Sequence, residues 1–136
     1  MKLLIRTDGA SRGNPGPAAY GFVIYKDGVV WKKEGKTLGV TTNNIAEYTG
    51  LVRALEYLAD QVLASEVEEL AIEADSQLMI MQLSGKYKVK NAGIKVLFDQ
   101  IQTMLSEYPN KTFKHIFREF NKEADELGNL ALDGKI

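Results

Sequence analysis

The sequence contains no cysteine and no long apolar run, and each absence excludes a class of protein. Without cysteine, a disulfide-stapled scaffold, a zinc finger with cysteine ligands and a cysteine nucleophile are all excluded. A membrane span needs roughly 20 consecutive apolar residues, and no segment approaches that length. The amino-terminal Met1–Arg6 has too few apolar residues for the core of a signal peptide. We therefore expect a cytoplasmic protein.

An excess of positive charge is also missing, since 17 Lys and Arg face 18 Asp and Glu for a net charge of −1. This balance argues against tight nucleic-acid binding through bulk positive charge. The charges are nevertheless segregated: residues 43–75 carry −7, whereas residues 86–118 carry +5. Taken alone, the segregation fits ordinary variation along a surface as well as it fits an acidic centre beside basic surfaces.

The length of 136 residues and the 45% hydrophobic content predict one folded domain over residues 1–136. The predicted strands are Leu3–Thr7, Tyr20–Tyr25, Val29–Lys36, Glu69–Ala74 and Phe113–Phe120. The predicted helices run from Ile45 to about Val62, from Ser76 to about Leu83, from Ile94 to Leu105 and, capped by Asn121, to Leu132. Strands in a meander followed by alternating strands and helices predict an α/β fold with a mixed sheet flanked by helices.

Four acidic residues occupy unusual places in this pattern. Asp8 and Asp75 each follow an apolar strand, where ligand sites collect in α/β sheets. Glu47 shares the apolar stripe of the long helix, and Asp125 lies in the first turns of the last one. Each acid alone also suits a turn, a helix cap or a helix amino terminus.

The pattern of the four acids together is more informative than any one of them. If the first strand lies beside the fourth, Asp8 and Asp75 are close, and clustered carboxylates without cations repel one another. Oxygen ligands without histidine or cysteine suit hard cations, above all Mg²⁺ and then Mn²⁺. Two such ions about 4 Å apart can hold the attacking and leaving oxygens of a phosphodiester in line.

Four segments carry a resemblance to a known family. They are Thr7–Ala18 with Gly21, Thr42–Glu47, Ala74–Gln77 with Leu83, and Arg118–Leu127. In order and spacing they resemble the four motifs of type 1 ribonuclease H, across essentially the whole chain. The resemblance implies a ribonuclease H-like mixed five-stranded sheet, with three antiparallel strands followed by parallel ones. It also implies hydrolysis of the RNA strand of RNA/DNA hybrids, leaving 3′-hydroxyl and 5′-phosphate ends.

The resemblance assigns roles to the acids. Asp8 would contact two Mg²⁺ ions, for which Mn²⁺ could substitute; Glu47 and Asp75 would hold the ion on the side of the attacking water, and Asp125 would complete the site. The predicted nucleic-acid-binding residues are Gly9, Ser11, Asn14, Thr42, Asn43, Asn44, Lys86, Lys88, Lys90 and Arg118. Among them, the three asparagines match readers of sugar hydroxyls and bases in the minor groove, where an amide can both donate and accept. Thr42 matches a contact to a DNA-strand phosphate.

The sequence departs from the family pattern at two places. Many members carry a loop histidine before the last acid, whereas here Glu119 and Phe120 stand there, so Arg118 or Glu119 is expected to take part in proton handling or product release. The sole histidine, His115, is interpreted as a packing residue of the last strand. The tryptophan-rich basic protrusion is replaced by Lys86–Asn91, which is predicted to contact phosphates and is otherwise a solvated loop.

The leading hypothesis is a monomeric, metal-dependent endoribonuclease acting on RNA/DNA hybrids. Double-stranded RNA is a further substrate to consider, because some relatives without the loop histidine also cut it. The alternatives are a DNA-cutting nuclease of the same fold and a catalytically silent hybrid-binding module.

Overall fold

The computed structural model of the chain describes all 136 residues. Its five strands are β1 (Lys2–Ser11), β2 (Gly16–Lys26), β3 (Val29–Thr41), β4 (Glu69–Ala74) and β5 (Lys111–His115). They form one sheet in the order β3-β2-β1-β4-β5, in which β1, β2 and β3 are antiparallel while β4 and β5 run parallel to β1. The predicted fold class, a mixed five-stranded sheet flanked by helices, is confirmed.

The helices are α1 (Asn43–Gln61), α2 (Gln77–Leu83), α3 (Ala92–Leu105) and α4 (Lys122–Leu132), with single 3₁₀ turns at Ala64–Glu66 and Arg118–Phe120. None of the helices combines the length and the apolar character needed to cross a membrane. α1 packs on β1, β2 and α3, whereas α4 packs on β1, β2 and β3.

The core lies between α1 and the sheet. Leu51, Leu55 and Leu58 recur along one stripe of α1 and are fully buried against Ile5 of β1 and Ile72 of β4. Each such side chain contributes about 1.5–3 kcal/mol when it leaves water. The same stripe carries Glu47 into the protein, so the packing of α1 also determines where this carboxylate lies.

On the opposite face, α4 approaches the sheet closely at Gly21 of β2. A Cβ atom added to Gly21 would lie 2.1 Å from the backbone oxygen of Ala124. Only a residue without a side chain fits this contact, and Gly21 is the register partner of Asp8 on β1. The glycine therefore lets α4 lie against the sheet beside Asp8.

Three predicted strand ends were wrong, and β2 begins at Gly16 rather than Tyr20. β3 continues past Lys36 to Thr41, because β2 pairs with it as far as Gly16 and Thr41. β1 does not end at Asp8 but continues to Ser11, because β2 pairs with it as far as Ser11 and Ala18. The last strand ends at His115 rather than Phe120, because its parallel partner β4 ends at Ala74. The chain then forms the turn Arg118–Phe120. His115 is half-buried and packs edge-on against Phe117, in agreement with a packing role.

We expect Gly21→Ala to destabilise the protein by about 2–3 kcal/mol, because the added methyl group meets backbone that cannot move aside as a side chain could. Urea unfolding monitored by circular dichroism measures this change. Gly93→Ala is the matched control: Gly93 is exposed on α3 and an added Cβ there has no contact closer than 3.3 Å. Equal stability of the two variants would contradict the proposed close approach of α4.

Candidate active site

The site forms where β1 and β4 separate. Their parallel pairing ends at Thr7 and Ala74, so Asp8 and Asp75 are the next residues on two adjoining strands. β1 continues along β2, whereas β4 leaves the sheet and α2 begins at Gln77. The sequence placed both acids at this edge, and the structure brings them together there.

Glu47 reaches the same place from α1. The amino-terminal part of α1 lies directly on Gly9, where an added Cβ would be 2.4 Å from the backbone nitrogen of Glu47. One carboxylate oxygen from each of Asp8, Glu47 and Asp75 lies within 4.8 Å of the others. Three of the four predicted acids thus form one cluster that could hold a metal ion.

Asp125, the fourth acid, lies beside this cluster and outside that 4.8 Å group. It is half-buried on α4, and its carboxyl group contacts that of Asp8. Asn129, one turn further along, donates from its amide to the backbone oxygen of Asp125 at 3.1 Å. The four carboxylates therefore come from β1, α1, the end of β4 and α4, on both faces of the sheet.

Burial and mutual repulsion dominate the electrostatics of the site. Burial, together with the nearby carboxyl groups of Asp75 and Asp125, raises the pKa of Asp8 to about 9. Burial also raises the pKa of Glu47 to about 7, and the charge of Asp75 adds to this rise, while Ser76 and Arg118 oppose it. A protein that buries acids in this way needs positive charge to keep them ionised.

The residues present fit a divalent metal. Oδ2 of Asp75 is buried without a hydrogen-bond partner, which is costly unless a cation or a proton donor occupies the space before it. All of the clustered donor atoms are carboxylate oxygens, the ligand type preferred by Mg²⁺ and Mn²⁺.

A cleft of about 480 Å³ opens beside the cluster. Its lining is almost entirely polar and consists of Gly9, Ala10, Ser11, Asn14, Asn43, Arg118, Asp125 and Asn129. Five predicted nucleic-acid-binding residues therefore lie in one cleft with Asp125. Asn14 Oδ1 accepts from the backbone N–H of Asn43 at 3.2 Å, and this bond fixes the β1–β2 loop to the start of α1.

The remaining predicted binding residues lie outside this cleft. Thr42 is the amino-terminal cap of α1, and its hydroxyl oxygen accepts from the N–H of Ile45 at 3.2 Å. Asn44 is exposed on the first turn of α1. Lys86, Lys88 and Lys90 are exposed on the loop between α2 and α3.

Asn121 has a different role from the predicted one. It occupies the cap position of α4, but its side chain makes no capping bond. Its amide instead donates to the backbone oxygen of Thr7 at 2.9 Å, in a fully buried position beside Asp8. The backbone oxygen of Thr7 lies where the pairing of β1 with β4 ends. Asn121 therefore donates the hydrogen bond that a further residue of β4 would otherwise supply. No local sequence pattern indicates such a contact, since it joins residues far apart in the chain.

Two further site residues are absent from the sequence-based prediction. Asn129 follows Asp125 by four residues, and this helical spacing would have indicated the contact between them. Ser76 caps α2 through its hydroxyl, which accepts from Met79, and it also contacts Glu47.

Known proteins are similar to this chain in sequence and in fold. A family model described as reverse transcriptase-like matches residues 6–131. A ribonuclease HI of Halobacterium salinarum is 39% identical over 93% of this chain and 62% of its own length. The structure of LC11-RNase H1 in complex with RNA/DNA hybrid superposes with a TM-score of 0.91 at 42% identity, covering 97% of each chain. The chain belongs to the type 1 ribonuclease H family.

Other relatives within this ribonuclease H family are longer. A bifunctional protein of Mycobacterium tuberculosis is 38% identical over 98% of this chain, yet the chain spans only 36% of that protein's length. The match lies within a larger protein in that case.

The turn Arg118–Phe120 stands where many members of this family are expected to carry a loop histidine. Arg118 lines the cleft, and its charge lowers the pKa of Glu47 against the larger effect of burial. Glu119 instead lines a separate depression with Arg6 and Tyr25, away from the cleft residues. Of these two residues, Arg118 lines the cleft and Glu119 does not.

In metal-free protein we expect Asp8→Asn to be stabilising by at least about 1 kcal/mol at pH 8, because folding of the wild type at this pH forces Asp8 to take up a proton, or to bury its charge among other carboxylates, and asparagine avoids this cost. The folded state raises the pKa of Asp8 from 3.8 to about 9, so folded protein binds more protons than unfolded protein between these values. Wild-type stability should therefore fall as the pH rises from about 4 to 9. Melting curves in EDTA across this range test the prediction, and Asp8→Asn should flatten the dependence. An equally steep dependence in the variant would contradict it.

Proposed function

We propose that this chain is a metal-dependent endoribonuclease that hydrolyses the RNA strand of RNA/DNA hybrids by a two-metal-ion mechanism, giving 3′-hydroxyl and 5′-phosphate ends. The observation that carries the proposal is the carboxylate cluster of Asp8, Glu47 and Asp75, with Asp125 beside it, at the edge of a polar cleft. The structure of the similar LC11-RNase H1 in complex with RNA/DNA hybrid supports this choice of substrate.

Two Mg²⁺ ions, with Mn²⁺ as the substitute, would be held by Asp8, Glu47, Asp75 and Asp125. Bound there, divalent cations supply the positive charge that lowers the pKa of an attacking water and offsets charge on the phosphate. The protein holds the carboxylates in place before substrate arrives: Asn43 donates to Glu47 at 3.4 Å, and Asn129 donates to Oδ1 of Asp125 at 3.4 Å. Such fixed ligands need little rearrangement during the reaction.

The amide-rich wall of the cleft supports RNA as the strand that is cut. Asn14 and Asn43 lie in the cleft, and Asn44 follows on the exposed surface of α1. Side-chain amides donate and accept hydrogen bonds, as recognition of a 2′-hydroxyl in a shallow minor groove requires. Phosphate oxygens only accept hydrogen bonds, so a protein that reads only phosphates would make no use of the acceptor oxygens of these amides.

We further propose that residues 1–136 act as a single ribonuclease H-like domain, because one sheet contains every strand and one core cluster joins β1, β2, β4, α1, α2 and α3. The cytoplasmic location and the monomeric state remain predictions. Double-stranded RNA is the second candidate substrate. It rests on the same 2′-hydroxyl chemistry and on the missing loop histidine.

We expect Asp8→Asn to lower the rate of hybrid cleavage in Mg²⁺ by about 100-fold or more, equivalent to about 2.7 kcal/mol of transition-state stabilisation. Hybrid binding should remain. Asp60→Asn, an exposed change on α1 with the same loss of charge, is the control and should leave the rate unchanged. Hybrid, double-stranded RNA and double-stranded DNA should be compared in one assay. If wild-type protein binds hybrid without cleaving it in Mg²⁺ or Mn²⁺, the result would favour the silent binding module. Preferential cutting of DNA by wild-type protein would favour the DNA nuclease.

We expect weaker hybrid binding when Lys86, Lys88 and Lys90 are all replaced by alanine. The plot of log affinity against log salt concentration should also become less steep by about 2–3, since each lost phosphate contact reduces its steepness by about 0.7–0.9. The control triple variant replaces Lys2, Lys26 and Lys32, which change the net charge equally but lie toward the amino-terminal end of β1, away from Asp8. Identical slopes for both triple variants would identify the loop as merely solvated.

A further inference from the structure

A buried amide connects the lysine-bearing loop to the helix that carries Glu47. Gln82 lies on α2 and is only 7% exposed, although glutamine is usually a surface residue. Burying an amide is unfavourable unless both of its ends are hydrogen-bonded. The amide nitrogen of Gln82 donates to the backbone oxygen of Lys88 at 3.3 Å, and its oxygen accepts from the hydroxyl of Tyr48.

The chemistry of the partners fixes the orientation of this amide. The backbone oxygen of Lys88 can only accept, so the NH₂ group of Gln82 must face it. The oxygen of Gln82 then faces Tyr48, whose hydroxyl must donate. A tyrosine hydroxyl carries one proton that it can donate, and here it donates that proton to the oxygen of Gln82.

Tyr48 is itself packed in the core. It is fully buried in the core and follows Glu47 directly on α1. The two hydrogen bonds therefore form a continuous connection from α1, through Gln82, to the backbone at the centre of the loop. A helix packed along its whole length is a rigid reference for that loop.

The loop has few other hydrogen bonds at this point. Its first residues are held by the end of α2, where the N–H groups of Lys86 and Tyr87 donate to Met81. Its last residue, Asn91, caps α3 by accepting from Ile94 at 3.0 Å. Between these ends, the backbone of Lys88–Lys90 makes one hydrogen bond, the one to Gln82.

The two helices that flank the loop, α2 and α3, both begin near the proposed site of substrate binding. α2 begins after Ser76, the neighbour of Asp75, and an added Cβ on Gly93 would lie 3.5 Å from the side chain of Ile45, between Asn44 and Glu47 in the chain. Lys86, Lys88 and Lys90 alternate with Tyr87 and Val89, and Val89 packs on the core.

We propose that Gln82 is a positioning residue for substrate binding, which fixes the loop Ser84–Asn91 so that its lysines meet the phosphates of a bound hybrid without first having to be ordered. This inference rests on the proposed function. Ordering a flexible segment on binding weakens affinity, whereas a segment held in place beforehand avoids that loss. The effect should appear in substrate binding and not in the chemical step, because the side chain of Gln82 is hydrogen-bonded to Tyr48 and Lys88 and to none of the four carboxylates.

The test is Gln82→Met, which keeps the length of the side chain and removes both hydrogen bonds. We expect KM for hybrid to rise about 3–10-fold with kcat unchanged, from the loss of ordered loop contacts. The backbone NMR order parameters of residues 88–90 should fall in substrate-free protein, because these residues have no other backbone hydrogen bond. Tyr48→Phe deletes only the hydroxyl that orients the amide and should raise KM in the same direction. It keeps the test available if Gln82→Met does not fold.

Two controls separate positioning from a general structural effect. Gln100→Met makes the same chemical change at an exposed site on α3 and should leave KM unaltered. In a background with Lys86, Lys88 and Lys90 replaced by alanine, Gln82→Met should no longer change KM, because the groups that it positions are gone.

The possible failures are distinguishable. If wild-type protein neither binds nor cuts hybrid, the proposed function falls and this inference falls with it. If wild-type protein cuts hybrid but Gln82→Met leaves KM unchanged, only the positioning role is overturned. A fall in kcat at constant KM, or a KM effect that persists without the three lysines, would also overturn it.

Discussion

Repulsion among buried carboxylates is the constraint around which this protein is built. Asp8, Glu47 and Asp75 each place an oxygen within 4.8 Å of the others, and Asp125 adds a fourth carboxyl group against Asp8. Such a group of charges opposes folding in the absence of cations. The large apolar core under α1 has to offset this cost, and the helix that carries Glu47 is also the helix that contributes most to that core.

The acids meet because helices on both faces of the sheet reach the same gap in it. α1 approaches on one face over Gly9, and α4 approaches on the other over Gly21, each where a side chain would collide with the helix backbone. Asn121 then ties the start of α4 to Thr7, immediately before Asp8. The positions of the ligands are therefore set by backbone contacts that do not depend on the metal, which is consistent with a site formed before metal binds.

Sequence patterns predicted those parts of the fold that local periodicity determines. The apolar stripe of α1 indicated that Glu47 points inward, and the alternation before Asp75 located the end of β4 correctly. The true ends of β1, β3 and β5 were missed because each depends on how far a partner strand extends, which is a long-range property. Asn121 was taken for an ordinary cap, and Gln82 went unnoticed, because their partners Thr7, Tyr48 and Lys88 become neighbours only in the folded protein.

The small net charge of the protein explains why both the carboxylate site and the lysine-bearing loop have to place positive charge accurately. Setting aside the four site acids from a net charge of −1 leaves +3, so the rest of the surface is only mildly basic. Because the net excess of positive charge is so small, hybrid binding must depend on where the cationic side chains lie and not on how many there are. Each phosphate contact contributes separately to affinity. Holding a loop with three lysines in one position therefore increases the affinity for hybrid most when the surface has no surplus of other cations. Such a surplus could otherwise compensate for a poorly placed lysine. Metal ions would supply the remaining positive charge at the scissile phosphate, where the carboxylates confine it, so that the protein can bind hybrid weakly overall and still act strongly at one bond.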